Sequence, residues 1–348
     1  MKKTISLILA ILMLTLVFTG CDILNFGDSG DESESEYENN ESNSVEEESE
    51  SKREESPVTD FEYMINTKTG NMTITKYIGK SSEVVIPEAI NGEPVKVIGE
   101  SAFANSDVET VHIPDSVEAI LQLAFYKCEK LTYVRFSQNL VNRIGWSAFS
   151  GCKSLKKADL SSSGLKMIDE GAFEDCESLE EVTLGENINV IAQEAFMNCT
   201  SLHTINLPKN LEELGHYAFF NCNFKTLTIP KSIQKWGIYA FANSLELSEV
   251  IFEDGLKTIS GSFLFGPCLV ETVTIPASVE SIDDCIFFKS KLKTVIFEGD
   301  APNVRDTKFN MPFDVDNQPV TIYYDPEASG WDTTPMKDYY TLVPMENT

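Results

Sequence analysis

Apolar and polar positions alternate in one frame that returns along most of the chain. Its anchor is an Ala-Phe pair, found at Ala102-Phe103, Ala124-Phe125, Ala148-Phe149, Ala172-Phe173, Ala195-Phe196, Ala218-Phe219 and Ala240-Phe241. Degenerate copies follow at Leu264-Phe265 and Ile286-Phe287. The full pairs recur every 22 to 24 residues, the period of a solenoid in which each unit packs only on its neighbours. Five residues before each Phe stands Ile98, Ile120, Ile144, Ile168, Ile191, Leu214 or Trp236. Three residues after it stands Cys128, Cys152, Cys176, Cys199, Cys222 or Cys268, with Ser106 and Ser244 as substitutes. A short alternating run comes next, as in Leu179-Glu-Glu-Val182-Thr-Leu184 and Leu202-His-Thr-Ile205-Asn-Leu207. Strict alternation of that length predicts a half-buried strand. Pro114, Pro208, Pro230 and Pro276 close several runs, where a missing amide donor harms a ladder least.

One unit cannot bury its own Ile, Ala, Phe and Leu. At about 1.5–3 kcal/mol per buried large side chain, four or five of them offset the ordering of about 23 residues only when units stack. The Ala before each Phe reads as a size limit between turns, and the rings at one level predict an internal aromatic ladder.

The frame Leu-x-x-Ile-x-Leu-Pro, then Ile-Gly, then Ala-Phe-x-x-Cys resembles the BspA-like (treponemal-type) leucine-rich repeat family. Leu202, Ile205, Leu207-Pro208, Leu214-Gly215, Ala218-Phe219 and Cys222 carry it closely, as does the stretch from Val108 to Cys128. The resemblance covers about residues 60–300, and it departs from the pattern at Leu264, Ile286 and Ser290. It implies an α/β-type repeat solenoid: a curved leucine-rich repeat with one short strand per repeat, capped at both ends. It also implies a leaning towards adhesion to host or neighbouring cells.

Four segments follow: 1–21, 22–59, 60–300 and 301–348. Met1-Lys2-Lys3 and the apolar run from Ile5 to Phe18 have the charged and hydrophobic regions of a signal peptide. Phe18-Thr19-Gly20-Cys21 resembles a bacterial lipobox, with Phe18 in place of the usual Leu. That resemblance implies lipidation of Cys21, a mature chain beginning there, and attachment to the outer face of the membrane only through the lipid. Ordinary secretion with Cys21 as a bystander is the alternative. Residues 22–59 are rich in Glu, Ser and Asn, a composition that predicts an acidic, disordered tether rather than a calcium store. Phe61 to Gly92 reads as an N-terminal cap and 301–348 as a C-terminal closing segment. Within the latter, Tyr323, Tyr324 and Trp331 read as capping, with a stacking platform for sugars as the sharper alternative.

The chain carries a net charge of −28, nearly half of it in the tether. An acidic balance opposes nucleic-acid binding, which needs a basic footprint. Equivalent cysteines of stacked turns point the same way at about the repeat rise, too far apart for a disulfide, so buried thiols are expected. Cys285 sits out of register. No C-x-x-C pair occurs, and His112, His203 and His216 fall in no ligand pattern. Asp314-Val-Asp316-Asn317 reads as a turn, since it lacks the Gly and distal Glu of a calcium loop. No nucleophile elbow, phosphate loop or dinucleotide fingerprint is present. Neither a metal, a cofactor nor catalysis is expected.

If the alternating runs are strands, their polar positions face outward on one Thr-rich sheet. Tyr133, Arg135 and Lys157 form the one aromatic-plus-basic cluster there, of residue types enriched at binding hot spots. This cluster is the candidate ligand site; the opposite edge, carrying residues after each Phe, competes with it. The expected function is non-enzymatic recognition of an extracellular protein or glycan by a monomer anchored at the bacterial surface. A structural spacer or envelope scaffold is the alternative. A glycan-processing enzyme using Asp/Glu pairs such as Asp159 and Glu181 comes third.

Overall fold

A computed structural model describes residues 53–346 except 284, 305–311 and 314–318. The signal peptide, Cys21, tether residues 22–52 and Asp314-Val-Asp316-Asn317 lie outside the described residues. Each repeat winds through three sides. The alternating runs supply the first: Glu83–Val85, Thr110–His112, Tyr133–Arg135, Lys157–Asp159 and Glu181–Thr183 form a parallel sheet in chain order. Two-residue strands ending on the apolar residue five before Phe supply the second, among them Met167–Ile168, Val190–Ile191, Glu213–Leu214 and Lys235–Trp236. The Ala-Phe turns make the third. There each Phe amide donates to the next turn's equivalent carbonyl, Phe125 to Ala148 at 2.7 Å and Phe219 to Ala240 at 2.8 Å.

The expected α/β character is corrected on that third side. The described residues hold no α-helix and only two 3-10 helices, Val58–Asp60 and Pro335–Asp338. Residues two before and two after most of these Phe positions adopt positive φ: Leu123 (58°) and Lys127 (54°), Tyr217 (56°) and Asn221 (61°), Tyr239 (58°) and Asn243 (62°). A left-handed residue ends a helical turn, so two of them around Phe permit one tight turn and no helix. The result is a β-solenoid of leucine-rich-repeat type.

A second departure falls in the repeat that matches the frame best. Residues 202–207 carry no strand, and Ile205 and Leu207 are only half-buried. The sheet stops at Glu181–Thr183 and resumes at Thr226–Ile229 and Glu249–Phe252. The coil shortens here: Phe224 follows Cys222 by two residues, whereas Leu202 follows Cys199 by three. The next turn therefore enters its strand one residue early. Its one backbone bond to residues 202–207, from the Lys225 amide to the His203 carbonyl, is long at 3.4 Å.

Inside, the Phe rings stack as the sequence predicts. Phe125 and Phe149 lie 4.9 Å apart, Phe173 and Phe196 5.3 Å, and Phe196 and Phe219 5.1 Å, with ring planes within 6° of parallel. Cys128, Cys152, Cys176, Cys199, Cys222 and Cys268 are buried thiols, and no disulfide forms among the described residues. Successive thiols donate to the Phe carbonyl of the previous turn, Cys152 to Phe125 at 3.1 Å and Cys199 to Phe173 at 3.2 Å. Burial pushes the Cys268 thiol up to about 11 and Cys176 higher still.

At the front end, residues 53–59 carry hydrogen bonds to the first turns. The Ser56 amide donates to the Val85 carbonyl at 2.9 Å, and the Val85 amide to Ser56 Oγ at 3.0 Å. Phe61–Ile65 pairs antiparallel with Met72–Tyr77, which runs parallel to Glu93–Ile98. At the far end Thr321–Tyr324 and Thr341–Pro344 extend the parallel sheet of Thr272–Ile275 and Thr294–Phe297. No helix among the described residues is long and apolar enough to cross a membrane.

Candidate functional site

Parallel register brings the three candidate residues together. Lys157 lies opposite Tyr133 on the neighbouring strand, and Arg135 opposite His112. The His112 ring is tilted 52° to the Tyr133 ring at 5.7 Å, and Arg53 Nη1 reaches His112 Nε2 at 3.0 Å. Tyr133 is 44% exposed.

Arg135 and Lys157 are already matched. Arg135 donates through Nη1 and Nη2 to the two Asp115 oxygens at 3.1 and 3.3 Å, and through Nη1 to the Ile113 carbonyl at 3.0 Å. The Arg135 hydrogen bonds hold the Asp115 carboxyl below its usual range. Lys157 Nζ lies 2.9 Å from Glu181, which raises the lysine's affinity for its proton. Burial, then the charges of Arg53 and Arg135, lower the His112 pKa and favour the neutral ring. An anion trap needs surplus positive charge, and matched pairs do not supply it. What the patch offers is a half-open ring edged by fixed hydrogen-bonding groups, suited to a polar, largely neutral contact.

The pair named for glycan processing is not set face to face. Register sets Asp159 opposite Thr183 and Glu181 opposite Lys157. Asp159 Oδ1 accepts from the Ser161 amide at 3.0 Å. His203 Nδ1 meets the Asn223 carbonyl oxygen at 3.0 Å, and His216 Nδ1 accepts from the Ile238 amide at 3.0 Å. Among the described residues, no group of His, Cys, Asp or Glu could hold a metal ion. Trp331 is 4% exposed, stacks on Tyr324 at 4.8 Å and donates its indole N–H to the Gly299 carbonyl at 3.2 Å. A ring so enclosed has no face left for a sugar.

The turn side holds features that sequence reasoning named only as a competing edge. Tyr217, Tyr239 and Phe263, each two residues before a core Phe, stack outside the core at 5.3 and 5.0 Å. Beneath them Met197, Phe220 and Ala242 form a small buried cluster separate from the main core. Alongside runs an amide chain: Asn243 Nδ2 donates to Asn221 Oδ1 at 2.8 Å, Asn221 to Asn198 at 3.0 Å and Asn198 to Asp175 at 2.8 Å. Asn at the same slot of three successive repeats was the available signal. On the same side burial, then the charges of Asp175 and Glu194, push Glu174 up to about 7. Stacked rings show their edges outward, so this column offers no flat platform.

A family model described as BspA type Leucine rich repeat region matches residues 96–222 and 166–293, in six copies. No curated protein matches the chain. Among solved structures, a leucine-rich repeat protein from Bacteroides ovatus is similar, with 25% identity and a TM-score of 0.62 over 76% of this chain and 70% of that one. A leucine-rich repeat protein from T. pallidum is 26% identical with a TM-score of 0.44, over 61% of this chain and 87% of that one. A leucine rich cell surface protein from Faecalibacterium prausnitzii is 21% identical with a TM-score of 0.35, over 83% and 98% of the two chains.

Proposed function

The chain belongs to the BspA-type leucine-rich repeat family, and from that premise we propose that it is a non-enzymatic recognition protein. Family membership fits a binding or scaffold role. The finer reading is adhesin-like: the protein holds an extracellular protein or glycan on its outward sheet, at Tyr133, Arg135 and Lys157. The observation that carries this reading is the half-exposed Tyr133 ring, flanked by side chains already fixed by Asp115 and Glu181. Groups held in place before binding lose little freedom on contact, and Tyr and Arg dominate binding energy at interfaces. Surface attachment through a lipid on Cys21, with the acidic segment as a spacer, completes the proposal. The two ends of the coil serve as caps, with Trp331 and Tyr324 sealing the far one.

Screening the protein against arrays of matrix proteins, bacterial surface extracts and polysaccharides tests this reading. Saturable binding without turnover of any glycan is the expected result. Release of reducing ends from a polysaccharide would overturn it. The absence of any binder, with envelope defects on shortening the coil by one repeat, would favour the spacer.

A further inference from the structure

The strand Phe61–Ile65 closes one end of its sheet with an unusual edge. It pairs on one side with Met72–Tyr77, and no strand among the described residues pairs with the other side. Tyr63, Met64 and Ile65 are 38, 59 and 46% exposed, and Val58 and Ile78 nearby are exposed as well. Natural edge strands are commonly blunted by Lys, Pro or a covering loop. This one contains neither Lys nor Pro and a single charge, Glu62. Its one bulge falls in the pairing with Met72–Tyr77.

Register sorts the side chains of this strand. Phe61 lies opposite Tyr77, Tyr63 opposite Ile74 and Ile65 opposite Met72. Residues 61, 63 and 65 therefore share the face of the buried Met72 and Ile74, while Glu62 and Met64 take the other.

We infer that this edge is an interface with a second copy of the chain, made by antiparallel pairing of the two Phe61–Ile65 strands about Tyr63. The strand is its own complement in that register. Tyr63 meets its symmetry copy, Phe61 meets the copy of Ile65, and Glu62 meets the copy of Met64. No carboxylate faces a carboxylate, and the apolar set of both strands stays on one side of the joined sheet. A self-complementary patch is what a two-fold interface requires. The other strands of this sheet all lie on one side of Phe61–Ile65. The rest of each sheet therefore extends away from the junction, and the Tyr63 hydroxyl accepts from Asn91 Nδ2 of its own chain at 3.2 Å. The inference departs from the monomer expected above and is independent of the ligand site.

The test uses the full-length chain in detergent micelles. Sedimentation should show a reversible dimer. Met64→Glu, which sets like charges against Glu62 at two symmetric places, should raise its dissociation constant at least about tenfold. Met64→Lys at the same exposed position should keep or tighten the dimer, and Glu62→Lys with Met64→Glu should restore it. Under mild oxidation Tyr63→Cys should form a reducible dimer, since the paired Cα atoms fall within disulfide range, whereas Asn206→Cys should not. Unchanged thermal melting of the Met64 variants shows that folding is intact. A monomer at every concentration, equal weakening by Met64→Glu and Met64→Lys, or head-to-tail filaments would each overturn the inference.

Discussion

Phe196 sits between Phe173 at 5.3 Å and Phe219 at 5.1 Å, within 1° of parallel to both. Truncating it would open a cavity against two turns at once, so Phe196→Ala should cost about 3–5 kcal/mol, read by urea unfolding. That residue was legible in the sequence because the Ala-Phe spacing alone places it in the core. Glu174 was not legible. Its burial and its neighbours Asp175 and Glu194 raise its pKa from 4.5 to about 7, and Glu194 arrives from the following turn. Between pH 4.5 and 7 the folded state keeps a proton that the unfolded chain has released, so stability falls as pH rises through that window. The favourable contribution is present below pH 4.5 and lost above pH 7. Glu174→Gln should flatten this dependence and raise the melting temperature at pH 8 while leaving it nearly unchanged at pH 4. A variant with the same slope as the parent would remove Glu174 as the cause.

At the scale of the element, the turn side shows where sequence reasoning stopped. Alternation gave the strands, because one face of each run is buried and the other solvated. It could not show that left-handed residues at Lys127 (54°) and Tyr217 (56°) replace a helix by a tight turn, since Lys and Tyr carry no preference for positive φ. Asn198, Asn221 and Asn243 did carry that signal, and their side chains do a second job by linking turns. Asn221→Ala removes the donor to Asn198 and the acceptor for Asn243 together. It should cost about 1–3 kcal/mol in chemical unfolding, the range for leaving buried polar partners unmatched. No loss of stability would mean that solvent replaces the chain of amides. The missing strand at 202–207 is a different failure. Residues 202–207 alternate like the paired runs and Leu202 follows Cys199 by the usual three residues. The shortening after Cys222 therefore accounts only for the weak bonding to the next turn, which alternation within a single run cannot report.

At the scale of the whole molecule, much of the surface charge is arranged in pairs between neighbouring turns. Lys96 with Glu118, Lys153 with Glu177, Lys257 with Glu280 and Lys293 with Glu271 lie within 2.6 to 2.9 Å. Exposed pairs of this kind contribute little to stability, and the cations they hold add no surplus positive charge where they stand. The candidate site follows the same rule, because Arg135 and Lys157 are both engaged across turns. Its membership was legible from the alternation that predicts outward positions. Its charge balance was not, because Asp115 and Glu181 come from neighbouring turns. Under the proposed function, recognition there rests on Tyr133 and fixed polar groups rather than on the matched charges of Arg135 and Lys157. The direct measurement is ligand binding by Lys52–Thr348, which retains the Ser56 bonds to Val85, compared with two variants. One carries Tyr133→Ala, Arg135→Ala and Lys157→Ala; the other carries Tyr217→Ala and Tyr239→Ala on the turn side. Saturable binding that the first variant loses, the second retains and raised salt barely weakens is the expected result. Binding kept by the first variant and lost by the second would contradict it and move the site to the aromatic column.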